Sequence, residues 1–568
     1  MRARRTQPAL PGVTLPTASI VVQAKLSSAL PQPPGNKQPQ HAKRAALKLA
    51  GLGLLLALIY LAMYPLLAGV GNGPLNQAFF AVFPWLPHLF WTSWTPFLVQ
   101  GLHHIPIFDL SSGASPTTVV NGYPNLLLVL FTLAFVLVFV AARVGSKVAR
   151  ERLTSKDRSL LFWTVCILTG IFGVIFIFAP GVMSQDVFLY ATYGRMATLS
   201  NVNPYVVSPT ANVTDILHIF LSNKGLGVAN ILVGFRLLGL VAYMANAVLI
   251  WKILAKLKPE MRISGMLLFA WNPLVLLVGV SEMQYEMVVI TFLLLGALFF
   301  QRRSFLLSWV CILLATLINM FCLLLLPFFL KLLWKETHMM RGGRRFLWWL
   351  ALTSLSAVIV VLAFAHYWRG WGLAGFVSNL QQTFLQGNAV NSLDAAILYL
   401  PMGFPVFLSW LSAPIHWTIL AGIAVGSLLL FGLWLAKTLE FVLLFSSWIF
   451  LVLTVLIPVH WPEFMLLPLA LAIVSASRRT ILLAMLLTMG AVLEYYFLLW
   501  PKVWPNLALV TIGLPLLIWA WMLFFTATWY MTRQKDTGQP PSKSIKGFRF
   551  SRPSFPSRPS WYGRSKQL

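Results

Sequence analysis

Apolar runs of about twenty residues recur along the chain from Ala45 to Met531, separated by short polar breaks. A run of roughly 18 or more apolar residues can carry a helix across the hydrocarbon core of a bilayer. Helices and closed barrels are the two backbone arrangements that satisfy every peptide group there. Only 10% of the 568 residues are charged and 58% are hydrophobic, whereas soluble domains carry roughly a quarter charged residues. A water-facing surface cannot be built from this composition. The chain is read as an all-α polytopic membrane protein.

Fourteen membrane helices are expected, over residues 45–70, 124–142, 160–180, 229–251, 263–280, 286–300, 304–318, 320–334, 346–366, 416–436, 441–459, 464–477, 480–499 and 506–531. Several are short, notably those flanking Met283 and Asn319, and should be tilted or packed inside the bundle. Residues 1–44 and 532–568 read as disordered basic cytoplasmic tails around a membrane domain at 45–531. About forty polar, Pro- and Gln-rich residues precede the first apolar run, too many for the short basic region of a cleaved signal peptide.

A net charge of +28 raises nucleic-acid binding as a function class, but the distribution argues against it. All of the 42 Lys and Arg except Arg195, Lys224, Arg236, Arg369 and Lys502 fall in the tails or in alternate loops. That is the positive-inside pattern, with both termini cytoplasmic and an even number of crossings. Basic tails also suit an anionic membrane lipid surface. The three cysteines, Cys166, Cys311 and Cys322, lie in apolar runs without CxxC spacing and are expected to be small buried hydrophobes.

The acids go the other way. Asp109, Asp186, Asp215, Glu282, Glu286, Asp394, Glu463 and Glu494 fall on the outer half. Weaker positive-inside pressure outside explains this, and so does convergence on one outer site with catalytic or metal-binding work. Three long outer segments, 71–123, 181–228 and 367–415, are rich in Trp, Phe, Pro and Leu, and are expected to fold back onto the membrane surface as short interfacial helices.

The stretch Ser184-Gln-Asp-Val-Phe-Leu-Tyr-Ala-Thr-Tyr-Gly-Arg195, followed by Asn203-Pro-Tyr205, carries the most chemistry. In a helix, Asp186, Tyr190 and Tyr193 share one face at i, i+4 and i+7. A carboxylate would then stand beside two phenols at headgroup depth, where aromatic side chains favour the interface. An aromatic belt is the better account of the tyrosines taken alone; a helix N-cap would account for Asp186, but a cap explains neither Arg195 nor the Asn203-Pro-Tyr motif.

This pattern resembles the polyprenol-phosphate-mannose-dependent α-1,6-mannosyltransferases of the bacterial envelope, in the GT-C class of membrane glycosyltransferases. Phe235-Arg236-Leu237-Leu238, Trp271-Asn272-Pro273-Leu274-Val275-Leu276 and Leu326-Pro327 follow in the same order, so the resemblance covers roughly residues 160–463. The chain departs from the family at Gln284-Tyr285-Glu286, where His-Asn-Asp is usual, and at Asn319, where a Lys is usual before Leu-Pro.

The resemblance implies a GT-C-like fold in a bacterial plasma membrane. It also implies inverting transfer of a sugar, mannose by analogy, from a polyprenyl-phosphate-linked donor to a glycan or glycolipid acceptor on the outer face. Asp186 would be the general base, with Tyr190, Tyr193, Arg195, Asn203, Glu286, His366, Arg369 and His460 around the substrates. Arg195, His366, Arg369 and His460 are candidates to meet the departing lipid phosphate, and arginine suits it best because its fork matches phosphate geometry. For each histidine taken alone, a satisfied structural role is the better reading. A divalent metal (Mg or Mn) bridging Asp186 or Glu286 to that phosphate is compatible with the chemistry, and no cofactor motif is evident. Nucleotide sugars are cytoplasmic, and no cytoplasmic loop is large enough for a domain that binds them, nor does any carry a Gly-rich phosphate loop. A multi-pass transporter or lipid flippase is the alternative; it predicts ionisable groups near the bilayer midplane, where only Arg236 and Glu494 qualify. An envelope-polymer ligase or polymerase shares the lipid-phosphate chemistry.

Overall fold

The computed structural model describes residues 38–70, 123–151, 153–179, 186–198, 203, 206, 226–338, 340–365, 367–368, 370–375, 377–378, 391–393, 414–457, 460–498 and 507–536. Among them the chain is helical and contains no strand. Nine described helices are long and apolar enough to cross a membrane, and a bent pair makes a tenth if counted as one span. Most of both tails and of the three long outer segments lies outside the described residues, but residues 38–44 and 532–536, expected as disordered tail, are helical continuations of the first and last membrane helices. The chain divides into two compact units.

The first unit is built from α1 (Gln38–Val70), most of α2 (Tyr123–Ala149), α3 (Ser155–Ile177), the start of α4 (Asp186–Thr198), α5 (Leu226–Leu257), α6 (Arg262–Ala270), α7 (Pro273–Leu276), α8 (Glu286–Gln301) and most of α9 (Phe305–Ile318). α3 starts at a capping box: the Thr154 hydroxyl accepts from the Asp157 N–H at 3.2 Å, and the Thr154 N–H donates to the Asp157 carboxylate at 3.3 Å. The short α8 is packed inside, with Met287, Ile290, Leu293, Leu294 and Ala297 buried.

The segment expected as one helix over 263–280 is instead a broken span bent by 55°. Asn272 stops α6 and caps α7, its Oδ1 accepting from the Leu274 N–H at 2.9 Å, while Pro273 takes the first helical position, where no N–H is needed. A break in an apolar environment strands the last carbonyls of the first helix. Two phenols from neighbouring helices take them up: Tyr60 donates to the Trp271 carbonyl at 2.7 Å, and Tyr243 to that of Ala270. Beyond α7 the chain widens into a π turn, Leu277–Ser281. α5 rides directly on this turn, because a Cβ at Gly239 would lie 2.8 Å from the Gly279 carbonyl oxygen.

The second unit holds α10 (Leu326–Thr337), α11 (Gly342–Phe364), α12 (Pro414–Leu435), α13 (Leu439–Leu456), α14 (Leu466–Ser475), α15 (Arg478–Leu498) and α16 (Leu514–Asp536). The segment expected over 320–334 is also broken: the Asn319 Oδ1 accepts from the Phe321 N–H at 3.0 Å and starts a 3-10 turn, Met320–Leu325, ahead of α10. α14 is buried along its whole length. α11 is the opposite case, with Leu352 its one buried residue and Phe346, Leu347, Val358, Val361 and Leu362 exposed. An apolar helix with so little protein cover is stable only where hydrocarbon covers the rest. All three cysteines are free and buried.

Candidate functional site

Asp186 opens α4 and is half-buried in its first turn, where the helix dipole favours a carboxylate. Because α4 is helical through Thr198, Asp186, Tyr190 and Tyr193 share one face of it, as their spacing requires. The Gln284 side-chain amide donates to Asp186 Oδ2 at 3.1 Å, and the Tyr190 hydroxyl donates to Gln284 Oε1 at 3.0 Å. One glutamine thus joins the carboxylate and the phenol of the same helix face. The Tyr190 ring meets Tyr285 edge-on, with centroids 6.1 Å apart and planes at 82°.

Gln284 is delivered by unusual backbone. The π turn ends at Ser281, the Glu282 N–H donates to the Leu277 carbonyl at 3.0 Å, and Met283 then takes a left-handed φ of 49°. A bulky non-glycine residue rarely adopts that conformation, which costs of order 1–3 kcal/mol and persists only where its surroundings enforce it. Met283 is buried, and the kink reverses the chain so that Gln284 and Glu286 face the start of α4. The Asp186 carboxylate lies within electrostatic reach of Glu286, and the Tyr285 phenol within hydrogen-bond reach of it. Glu286 is buried, and its Oε2 has no hydrogen-bond partner among the described residues.

Arg236 holds both sides of this arrangement. Its side chain is buried on α5; Nε donates to the Ser281 carbonyl at 2.7 Å, and Nη1 to the carbonyls of Ile177 and Ala179 at 2.7 and 2.9 Å. The end of α3, which leads toward Asp186, and the turn that leads to Gln284 are tied to one guanidinium. Glu282, also buried, supplies nearby negative charge. Only a planar, multi-donor cation satisfies three carbonyls from two segments at once.

The second unit carries its own polar groups. The Asn203 amide donates to the Tyr367 carbonyl, which joins the Asn-Pro-Tyr motif to the segment after α11. His460, in the turn after α13, is buried; its Nδ1 lies 3.2 Å from the Thr454 carbonyl and its Nε2 lies 3.3 Å from Glu494 Oε1 on α15. Burial pushes the imidazole down to about 4, against the pull of the Thr454 carbonyl. With Nδ1–H directed at that carbonyl, the neutral ring turns Nε2 toward Glu494. Glu463 bears on Glu494 from the adjacent 3-10 turn.

Of the residues singled out from sequence, Asp186, Tyr190 and Glu286 therefore come together in the first unit. Tyr193 is half-buried further along α4, and Asn203 and His460 belong to the second unit. Arg195 lies on α4, but its side chain is outside the described residues, as are His366 and Arg369. Sequence reasoning missed Gln284 and Tyr285 as site residues and left Arg236 as an isolated ionisable group. The one signal for Gln284 was its position in the tripeptide that departs from His-Asn-Asp. Among the described residues, no three His, Cys, Asp or Glu side chains gather as metal ligands. Asp186 and Glu286 are oxygen donors of the kind a hard divalent cation takes.

The fold and its polar interior define a polytopic, helical membrane protein with a part-buried acid-amide-phenol cluster at the start of α4. No family model, curated protein or solved structure matches the chain.

Proposed function

We propose that the protein is a membrane glycosyltransferase that moves a sugar, mannose by the resemblance, from a polyprenyl-phosphate donor to a glycan or glycolipid acceptor on the outer face. In this reading the fold is GT-C-like with fourteen crossings, in a bacterial plasma membrane with both termini cytoplasmic. The observation that carries it is the Asp186–Gln284–Tyr190 chain of hydrogen bonds. A carboxylate oriented by an amide, half-buried at a helix start, is the equipment of a general base.

Asp186 takes the proton of the acceptor hydroxyl as the acceptor oxygen forms its bond to the anomeric carbon from the side opposite the phosphate. The bond from that carbon to the phosphate oxygen breaks, and the lipid phosphate leaves with the electron pair, so the anomeric centre inverts. A phosphate is already a stable anion and needs no proton, only positive charge. Arg195, Arg369 and His366 are the candidates for that role, with Asn203 and Tyr193 positioning the substrates; His460, buried and neutral, supplies no charge. Asp186 or Glu286 would hold a divalent cation, whose contribution would be further neutralisation of the phosphate.

Asp186→Asn should lower transfer about 10²–10⁴-fold in a reconstituted assay with a polyprenyl-phosphate sugar, the usual contribution of a placed base, with insertion unchanged. Near-normal turnover would overturn the assignment. The broken span at Trp271–Asn272 favours a second reading, a transporter, since discontinuous helices line many transport sites. Substrate uptake that survives Asp186→Asn would decide for it.

A further inference from the structure

The end of the first unit remote from Asp186 contains a cleft of about 450 Å³ whose wall includes Leu153, Arg158, Trp251, Pro259 and Arg262, and a smaller lobe of about 300 Å³ reaches Ser155, Ser159 and Phe162. α3 runs 23 residues from this cleft, a rise of about 33 Å, before the chain continues toward Asp186. A helix of that length crosses the hydrocarbon core. The cleft and the Asp186 cluster therefore belong to opposite membrane surfaces.

Two guanidiniums share the cleft, and among the described residues neither forms an ion pair. The Arg262 Cζ lies 4.1 Å from the centroid of the Trp251 ring, which is backed by Phe162 at 5.0 Å. The Arg262 Nε is buried and makes no hydrogen bond among the described residues. The charge of Arg158 bears on Arg262. Arg158 is exposed and spends one donor on the Leu153 carbonyl at 3.2 Å.

Among the described residues no carboxylate is within ion-pair distance of either arginine. Asp157 is engaged by the Thr154 cap; Glu151, exposed on the cleft wall, and Glu260, also exposed, pair with neither arginine. Facing arginines repel each other in an empty cleft, and a bidentate oxyanion between them reverses the sign of the interaction. The first N–H groups of α3 and the hydroxyls of Ser155 and Ser159 add donors on the same side.

We propose that the Arg158–Arg262 cleft binds a phosphate-bearing anion, either the headgroup of a membrane phospholipid or a soluble phosphate. The lipid source is favoured by what adjoins the cleft: Leu160, Trp163 and Ile167 lie exposed along one face of α3, a track for an acyl chain running from the headgroup into the bilayer.

The test is thermal unfolding of the delipidated full-length chain in detergent, titrated with dioleoylphosphatidylglycerol, dioleoylphosphatidylcholine or inorganic pyrophosphate. The expected result is a rise in the midpoint with phosphatidylglycerol, whose half-saturating concentration increases about tenfold in Arg158→Gln and in Arg262→Gln. The lipid-free midpoint should rise in Arg158→Gln, because removing one of two repelling charges relaxes the empty cleft. Arginine-dependent stabilisation by pyrophosphate without an effect of phosphatidylglycerol would assign the same site to a soluble phosphate. Equal titrations in wild type and Arg158→Gln, or no stabilisation by any of the anions, would overturn the proposal. Arg158 is exposed, so its variant carries the test even where loss of Arg262 from the Trp251 ring prevents folding.

Discussion

Single side chains in this protein do work out of proportion to their number, because each polar group in an apolar interior must find its partner there. Gln284 is the example nearest the proposed chemistry: its amide donates to Asp186 and its carbonyl accepts from Tyr190. Gln284→Leu keeps the volume and removes both bonds. A hydrogen bond to a charged group is worth about 1.5–3 kcal/mol, so transfer is expected to fall roughly 10–100-fold in kcat with donor KM little changed. An unchanged kcat would remove Gln284 from the positioning of Asp186.

His460 leads to a different expectation. Its folded value of about 4 lies below the ordinary 6.5, so between these limits the unfolded chain binds the proton that the folded chain refuses. The contribution of His460 itself to stability therefore rises with pH across that window, by at most about 1.4 kcal/mol per pH unit. Thermal unfolding in detergent from pH 4 to 7 should show the wild-type midpoint gaining on that of His460→Asn as the pH rises. A slope identical in the variant would assign the effect to other groups.

At the scale of elements, the informative features are the breaks rather than the helices. The Trp271-Asn272-Pro273 break bends one span and supplies the turn on which Gln284 and Glu286 depend. It is tolerated because the Tyr60 and Tyr243 hydroxyls donate to the stranded carbonyls. Tyr60→Phe leaves the buried Trp271 carbonyl unsatisfied and should destabilise the fold by about 1–3 kcal/mol, read as a lower unfolding midpoint in detergent. Activity should fall in parallel if the break positions the site. An unaltered midpoint would mean that the carbonyl has another partner. The run over 263–280 reads as one helix in sequence, since apolar periodicity reports burial and not continuity. Only Asn-Pro hints at a cap, and where the freed carbonyls go is invisible until distant tyrosines are folded against them.

For the whole molecule, the sorting of charge makes an orientation testable. The three native cysteines are buried, so a membrane-impermeant maleimide should find little background. Asn203→Cys should react in intact cells, and Arg303→Cys only in inverted vesicles, if the termini are cytoplasmic. The reverse pattern would overturn the orientation and the outer-face reaction with it.

The sequence by itself determined that this chain lives in a membrane and is helical, because length, apolarity and charge poverty are local properties that no tertiary arrangement can reverse. It also marked Asp186 and Tyr190 as partners on one helix face, since their spacing alone puts them there. Tertiary structure decided the rest. Glutamine 284 reaches Asp186 across about a hundred residues of chain, and Arg236 finds the carbonyls of Ile177, Ala179 and Ser281 only when α5 packs against the π turn. Hydrogen bonds between distant segments leave no periodicity behind them, so the residues that hold the site became legible only once the helices were assembled.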